Sequence, residues 1–375
     1  MTKEANVCTS KLLIQRLELA HSWYERMVNP STGMLEYLYV PGATARTQER
    51  SPIRDIASVW DAEVLGDFLR KEELRPLIET SLRHYDSYLI ERDGYLILDP
   101  RRLKEPSSIA HSAFLVLALL RAPGPRRSRQ ITALAVGILR QQRPDGSYKV
   151  CFEGRPDYGE ELYSGEAMLA LMETCRQFPD DRYLQSVERG FSFYDAQYFG
   201  RARVMEETLV FFANWQSQAC RLLFAASRSA MLRQQLASYL YRMHDRVISQ
   251  GFYESVQRQP TRHTSVEVAC ALEGLNEAYA LARAMDDSRA ERYRGCICVG
   301  LEYLLRCQCT QDGAEREYGG FGMSLEDRAQ RIDVTGHAVS AFMKSVQNEV
   351  ECRSRPAYSP PPESANVVPS KGGTN

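Results

Sequence analysis

Residues 111–142 read HSAFLVLALLRAPGPRRSRQITALAVGILRQQ. The first ten, His111 to Leu120, are apolar on nearly every side, so a helix there must be enclosed by other elements. Arg121-Ala-Pro-Gly-Pro125 then breaks the chain, because proline and glycine cannot continue a helix interior. The segment 127–142 follows with apolar positions at helical spacing and charges between them, as expected of a helix with one wet face. An enclosed helix, a tight turn and a half-wet helix form one hairpin.

The same hairpin recurs along the chain. Arg182-Tyr183, Val187, Gly190, Phe191 and Phe193 match Arg292-Tyr293, Ile297, Gly300, Leu301 and Tyr303 at a constant offset of 110. Gln141-x-x-x-Asp145-Gly146 matches Gln308-x-x-x-Asp312-Gly313 at an offset of 167. Halving the first offset and dividing the second by three both give a period of about 55, the length of two helices with their loops. Half-wet segments lie near 11–27, 75–90, 127–142, 181–198, 230–249 and 289–308. Enclosed segments rich in Ala, Leu, Cys and Ser begin near Val59, Ala110, Tyr163, Ala213, His263 and Ile332. Strict alternation, six times over, predicts an all-α (α/α)6 barrel occupying residues 1–347 as one domain. Residues 348–375, with Pro356, Pro360 to Pro362 and a Gly/Ser/Lys end, have a composition that cannot bury a core and are expected to be disordered.

Loop lengths give the barrel a direction. Links from enclosed to half-wet helices are short, as at Arg121–Pro125 and Phe178–Asp181, whereas Asn29–Ala57, Arg143–Leu162 and Thr310–Arg331 are long. The long loops therefore gather over the N-termini of the inner helices, where sites are usually built. Several carry a glycine followed by a large side chain, as in Gly94-Tyr95-Leu96 and Gly251-Phe252-Tyr253, suited to turning and then capping the core.

The inner helices place polar groups at that rim: Trp60-Asp61, His111, Glu166, Gln216 to Gln218, Glu267 and His337. Burying an unpaired charge is costly, so these groups are expected to line a wet mouth. Neighbouring segments add Glu161, Tyr163, Trp215, Glu254, Arg262, His263 and Asp333. Carboxylates beside aromatics suit sugar chemistry, in which one carboxyl protonates a leaving oxygen and another activates water or attacks; an epimerase or lyase uses a His, Tyr or Glu as base. The expected catalytic set is Glu166, Glu267, Glu161, Asp61, His111 and His337. The expected substrate-binding set is Trp60, Trp215, Tyr163, Arg262, His263, Glu254 and Asp333. Each also has a structural role open to it. Asp61, Glu166 and Asp333 suit helix N-termini, His111 and His337 suit hydrogen-bonded core positions, Glu160-Glu161 suits a solvated loop, and Trp60 and Trp215 suit packing.

Other classes find little support. With 48 acidic and 47 basic residues, a net charge of -1 leaves no excess to release counterions from nucleic acid. No run approaches the roughly 18 apolar residues of a membrane span. The polar start Met1 to Asn6 lacks a signal-peptide core, so a cytoplasmic location with ten reduced cysteines is expected. Cys296-x-Cys298 and Cys307-x-Cys309 put their thiols on opposite helix faces, so no metal is expected there. Asp180-Asp181 and Asp286-Asp287 suit helix caps at the opposite end of the barrel. No cofactor is expected, since phosphate-loop, nucleophile-elbow and zincin motifs are missing from the sequence.

The six hairpins, the two Gln-x-x-x-Asp-Gly turns, and Tyr318-Gly-Gly-Phe321 followed by Asp333-x-x-x-His337 resemble the α/α-toroid superfamily. That resemblance spans about residues 10–347 and implies six-hairpin glycosidases, sugar epimerases, or terpenoid-cyclase and prenyltransferase toroids. The cyclases' Asp-x-Asp-Asp acid and the prenyltransferases' Asp-x-Cys pair do not occur. A carbohydrate-active hydrolase or epimerase, acting on a small-molecule substrate such as a saccharide, is the leading expectation. An isoprenoid-processing toroid and a non-catalytic partner-binding toroid are the alternatives.

Overall fold

A computed structural model describes residues 8–43, 46, 47, 49–122, 124–154, 158–311 and 316–352. Its described residues hold twelve long helices: α1 (Ser10–Met27), α2 (Pro52–Leu69), α3 (Arg75–Asp86), α4 (Ile109–Arg121), α5 (Pro125–Arg140), α6 (Glu160–Gln177), α7 (Asp181–Phe193), α8 (Leu209–Ala226), α9 (Ala230–Ser249), α10 (Ser265–Ala284), α11 (Arg289–Cys307) and α12 (Ile332–Gln347). The even-numbered helices pack each against the next, α2 on α4, α4 on α6 and so on, and α12 closes on α2. This is a closed inner ring, and the odd-numbered helices surround it.

Burial follows the sequence pattern. Every residue of α4 from Ile109 to Leu120 is buried, whereas α7 buries Tyr183, Ser186, Val187, Gly190, Phe191 and Phe193 on one face and leaves the other wet. Asp180 caps α7, its carboxylate accepting from the Arg182 N–H at 2.9 Å.

Two boundaries differ from the periodicity. The outer segment expected over 75–90 stops at Asp86, because strands β2 (Leu89–Arg92) and β3 (Tyr95–Leu98) form a hairpin. Its turn is Asp93-Gly94, both at positive φ (45° and 81°), the conformation an Asp-Gly pair favours between two strands. The first inner helix starts at Pro52 rather than near Val59, since proline is pre-organised for the first helical turn.

The long links do gather at one end and are stitched to one another. Strand β1 (Leu38–Tyr39), between α1 and α2, pairs with β4 (Gln330–Arg331), between α11 and α12. Ser108 bridges to Cys151, and Thr264 to Ser324, joining further neighbouring links. At the opposite end the described links between helices are short turns, such as Phe178–Asp180 and Ser227–Ser229.

The C-terminal boundary and the cysteine reading are corrected together. Residues 348–352 are packed against the barrel: Val350 and Cys352 are buried, and the Cys352 N–H donates to the Cys8 carbonyl. Cys352 is joined to Cys298 of α11 as a disulfide, so the ten cysteines are not all free thiols. Helical spacing made Cys298 look like core, and its partner fell in the segment whose composition resembled a tail. Residues 353–375 lie outside the described residues, as do Asp312 and Gly313 of the second Gln-x-x-x-Asp-Gly turn. No helix of the described residues is long and apolar enough to cross a membrane.

Candidate functional site

The polar groups of the inner helices fall into two tiers. The upper tier lies in the first turn, where the backbone N–H groups have no partner within the helix. There His111 and Glu267, each the third residue of its helix, complete capping boxes. The Thr264 N–H donates to Glu267 Oε2 (3.5 Å), and the Glu267 N–H donates to Thr264 Oγ1 (3.3 Å). His263 sits 3.3 Å from the same carboxylate and 2.8 Å from Ser255 Oγ, with Phe252 against its ring. His111 Nδ1 is 2.8 Å from Ser108 Oγ, and its Nε2 is 3.1 Å from Glu105. Glu161 accepts from the Tyr198 hydroxyl (2.8 Å), Glu254 pairs with Arg258, and Arg262 is exposed in a short 3-10 turn. These six expected site residues lie at the rim, five of them held there by hydrogen bonds or ion pairs.

The lower tier lies one or two turns deeper, and it holds the carboxyls with strongly shifted pKa values. Asp61 is the tenth residue of α2, Glu166 the seventh of α6, Glu273 the ninth of α10 and His337 the sixth of α12. Two close approaches set their positions. Gly336 lets the Asp61 carboxylate lie against α12, where a Cβ would meet Asp61 Oδ2 at 2.0 Å. Gly165 lets α8 press on α6, where a Cβ would fall 2.5 Å from the Cβ of Trp215. A side chain at Gly336 would have to displace the Asp61 carboxylate, and one at Gly165 would have to move the α8 backbone.

Glu273 organises the floor. Its Oε2 accepts from His337 Nδ1 (2.7 Å) and from Asn214 Nδ2 (2.9 Å), and Gln218 in turn donates to Asn214 Oδ1 (2.8 Å). Burial alone would depress His337, but the neighbouring Cys270 and Glu273 outweigh it and hold the ring well above the usual histidine range. Burial also keeps the Cys270 thiol protonated, so at neutral pH the charge that does this is the Glu273 carboxylate.

The two remaining carboxyls feel both the dry floor and that cation. Burial pushes Glu166 up to about 8, against an opposing pull from His337. Its Oε2 has no hydrogen-bond partner among the described residues. Asp61 is pushed up to about 7, first by burial, with His337 pulling it down and Glu273 and Asp333 pushing it up. Asp333 itself is tied at the rim by Arg54 (2.9 Å) and Arg331 (2.9 Å).

Aromatic rings form one wall. Trp215 meets His337 edge-on at 5.8 Å and Phe114 at 5.6 Å, and Phe114 continues to Trp60 at 6.2 Å. Tyr163 stands beside Glu166, with Tyr158 at 6.3 Å, and burial and Glu166 both raise its hydroxyl pKa. Of the expected residues, the structure thus brings together Asp61, Glu166, His337, Trp60, Trp215 and Tyr163, with Asp333 at the edge.

Glu273, Cys270 and Asn214 complete the floor, and Glu273 was not among the expected residues. Asp61 and His337 fall within six residues of the helix starts expected at Val59 and Ile332, while Glu273 lies six residues beyond Glu267. Its signal is nonetheless in the sequence: it is the one charged residue in Val268–Asn276, an otherwise uncharged run.

No protein-family model matches the chain, and no curated protein matches it in sequence. Solved structures do match it in shape. A sugar epimerase from a ruminal bacterium is 12% identical, with 91% of this chain and 99% of that one covered at a TM-score of 0.65. A cellobiose 2-epimerase from Bacillus thermoamylovorans B4167 is 10% identical, with 90% and 98% covered at 0.67. An inactive variant of the α-1,6-mannanase GH76A of Salegentibacter sp. HEL1_6, in complex with α-1,6-mannotetrose, is 11% identical, with 91% and 100% covered at 0.61. The fold is an (α/α)6 toroid. At these identities the likeness is one of architecture, and the toroid's residues must speak for its chemistry.

Proposed function

We propose that this toroid is a carbohydrate-active enzyme, a hydrolase or epimerase, that moves protons on a sugar bound at the barrel mouth. The observation that carries the reading is the meeting of Asp61, Glu166 and His337, from three different inner helices, beside the Trp60–Phe114–Trp215 wall. Aromatic faces offer a sugar ring an apolar surface, and carboxyls offer hydrogen bonds and proton transfer. The sugar epimerase, cellobiose epimerase and mannanase of the same fold support a saccharide as the ligand.

Roles follow from the environments. Glu166, dry and with a free oxygen, holds its proton at neutral pH and serves as the acid. Asp61, nearer neutrality and half-buried, ionises first and serves as the base. Two titrating groups pushed apart by their surroundings are the usual signature of such an assignment. His337, held cationic by Glu273, stabilises negative charge that develops on the substrate between them. Glu267, Glu161 and His111 shape the rim in this reading.

An acid-lined floor disfavours the isoprenoid alternative, because an isoprenoid needs an apolar cavity. A partner-binding toroid would have no use for two carboxyls whose buried surroundings raise them to about 7 and about 8. The test is product analysis on a panel of reducing sugars, β-linked disaccharides and α-1,6-mannooligosaccharides. Turnover is expected on at least one, with Asp61→Asn and Glu166→Gln each reducing it by roughly 100-fold or more while remaining folded. Undiminished turnover in both folded variants would reject the assignment.

A further inference from the structure

The floor of the mouth contains one group that the proton chemistry does not use: the Cys270 thiol. Cys270 and Glu273 are three residues apart on α10 and so face the same way. His337 projects from the adjoining helix α12 to meet them. One ligand atom from each residue lies within 4.8 Å of the other two. We propose that Cys270, Glu273 and His337 form a three-ligand site for a zinc-type divalent metal ion, with its fourth position open to the barrel mouth.

The donor set fits that ion. Thiolate, imidazole and carboxylate together suit zinc and disfavour magnesium or calcium, which want oxygen alone. Zinc bonds of about 2.0–2.3 Å place tetrahedral donors roughly 3.3–3.6 Å apart. Glu273 and His337, now 2.7 Å apart, need to open by under about 1 Å, and the thiol, within 4.8 Å of both, needs to swing in by at most about 1.5 Å. Cys270 and Glu273 are 1% and 3% exposed, whereas the His337 side chain keeps 20% of its surface open. Three closed ligands and one open position are the arrangement of a catalytic zinc. Asn214, donating to Glu273, supplies the outer hydrogen bond that fixes a liganding carboxylate. The cluster His21, Glu25 and Glu73 is a weaker candidate, since its carboxylates are 41% and 58% exposed and lie away from the mouth.

Binding exchanges two protons for the ion. One leaves the Cys270 thiol and one leaves the His337–Glu273 hydrogen bond, so an incoming charge of two is balanced by two departing protons. The positive centre between Asp61 and Glu166 is thereby kept, and an open position is gained that polarises a substrate oxygen. The inference goes beyond the proposed sugar chemistry and shares with it His337 and Glu273, the bound ion taking over the positive charge that the imidazolium carries without metal.

Cobalt(II) reports the site directly. Full-length protein, stripped with chelator, is expected to develop a thiolate-to-cobalt charge-transfer band that saturates at one equivalent, and zinc should raise its melting temperature. In Cys270→Ala the band should vanish and zinc affinity should fall by more than the roughly 10–100-fold that loss of an outer hydrogen bond costs. Cys270→Ser serves the same purpose if the alanine variant does not fold. A folded parent without the band, or a band that survives in the variant, overturns the proposal. Turnover on a sugar by folded protein that shows no cobalt band sinks the metal site alone; one equivalent of metal with no turnover on any sugar upholds it and sinks the sugar reading instead.

Discussion

Two glycine-to-alanine substitutions separate the fold from the site. At Gly336 an added Cβ would stand 2.0 Å from Asp61 Oδ2, against the 3.4 Å or more of an ordinary contact, so the carboxylate must move by about 1.4 Å. What it meets is the half-buried Asp61 side chain and no backbone, Cγ standing at 2.8 Å, and that side chain can rotate away at a cost of about 0.5–1.5 kcal/mol. Alanine returns about 0.8–1.0 kcal/mol in helix propensity, so Gly336→Ala should fold within about 1 kcal/mol of the parent. Its activity should fall by roughly 100-fold, because a displacement near 1 Å has that effect on a positioned catalytic group. At Gly165 the new Cβ meets Trp215 Cβ at 2.5 Å, its carbonyl carbon at 2.8 Å and the Gln216 nitrogen at 2.9 Å. That is backbone, so α6 and α8 must part by about 0.9 Å, and overpacking of this kind costs about 1–3 kcal/mol. Denaturant melts should therefore rank Gly165→Ala below Gly336→Ala, while steady-state kinetics on a sugar found by the panel show the larger defect per kcal/mol in Gly336→Ala. Full activity in Gly336→Ala, or a Gly165→Ala protein as stable as the parent, would refute the reasoning.

Further outcomes follow from the same floor. Glu166 is raised from 4.5 to about 8 in the folded chain, so the stability it lends is present below pH 4.5 and is lost as pH climbs through about 8. Glu166→Gln should match the parent near pH 4.5 and exceed it by a few kcal/mol near pH 8 in paired melts; a constant difference across that range contradicts the burial account. With Asp61 ionising near 7 and Glu166 near 8, kcat/KM should trace a narrow bell whose two limbs belong to the coupled pair, and a flat profile from pH 5 to 9 counts against both roles. Opening the Cys298–Cys352 disulfide, which spans 54 residues, should lower stability by about 2–4 kcal/mol with the fold intact, read by melts of Cys352→Ser. No change in stability would show the link to be incidental.

The ring was legible because its signal is collective. Alternation of enclosed and half-wet segments survives an error of several residues at any boundary, as at Pro52 and Asp86. Asp61, Glu166 and His337 were legible for a related reason, since a charge in an enclosed helix needs a wet or paired surrounding. The tier to which each charge belongs was not. His111 and Glu267 share the rim register with true floor residues, and only the turn of the helix decides whether a side chain reaches back to its own N-cap or down into the lumen. Glu273 escaped because it sits two turns inside, where its partners come from α8 and α12, helices far away in sequence. The disulfide escaped because pairing depends on where the chain ends up, and Cys352 follows the last periodic segment by only a few residues.

The account rests on a single polar floor that receives a sugar. A crystal structure of Glu166→Gln with an oligosaccharide from the panel tests this most directly. The expected result is a pyranose ring against Trp215 or Trp60, with its oxygens in hydrogen-bond reach of Asp61, Gln at position 166 and His337. A sugar seated elsewhere on the molecule, with those three side chains untouched, would contradict it.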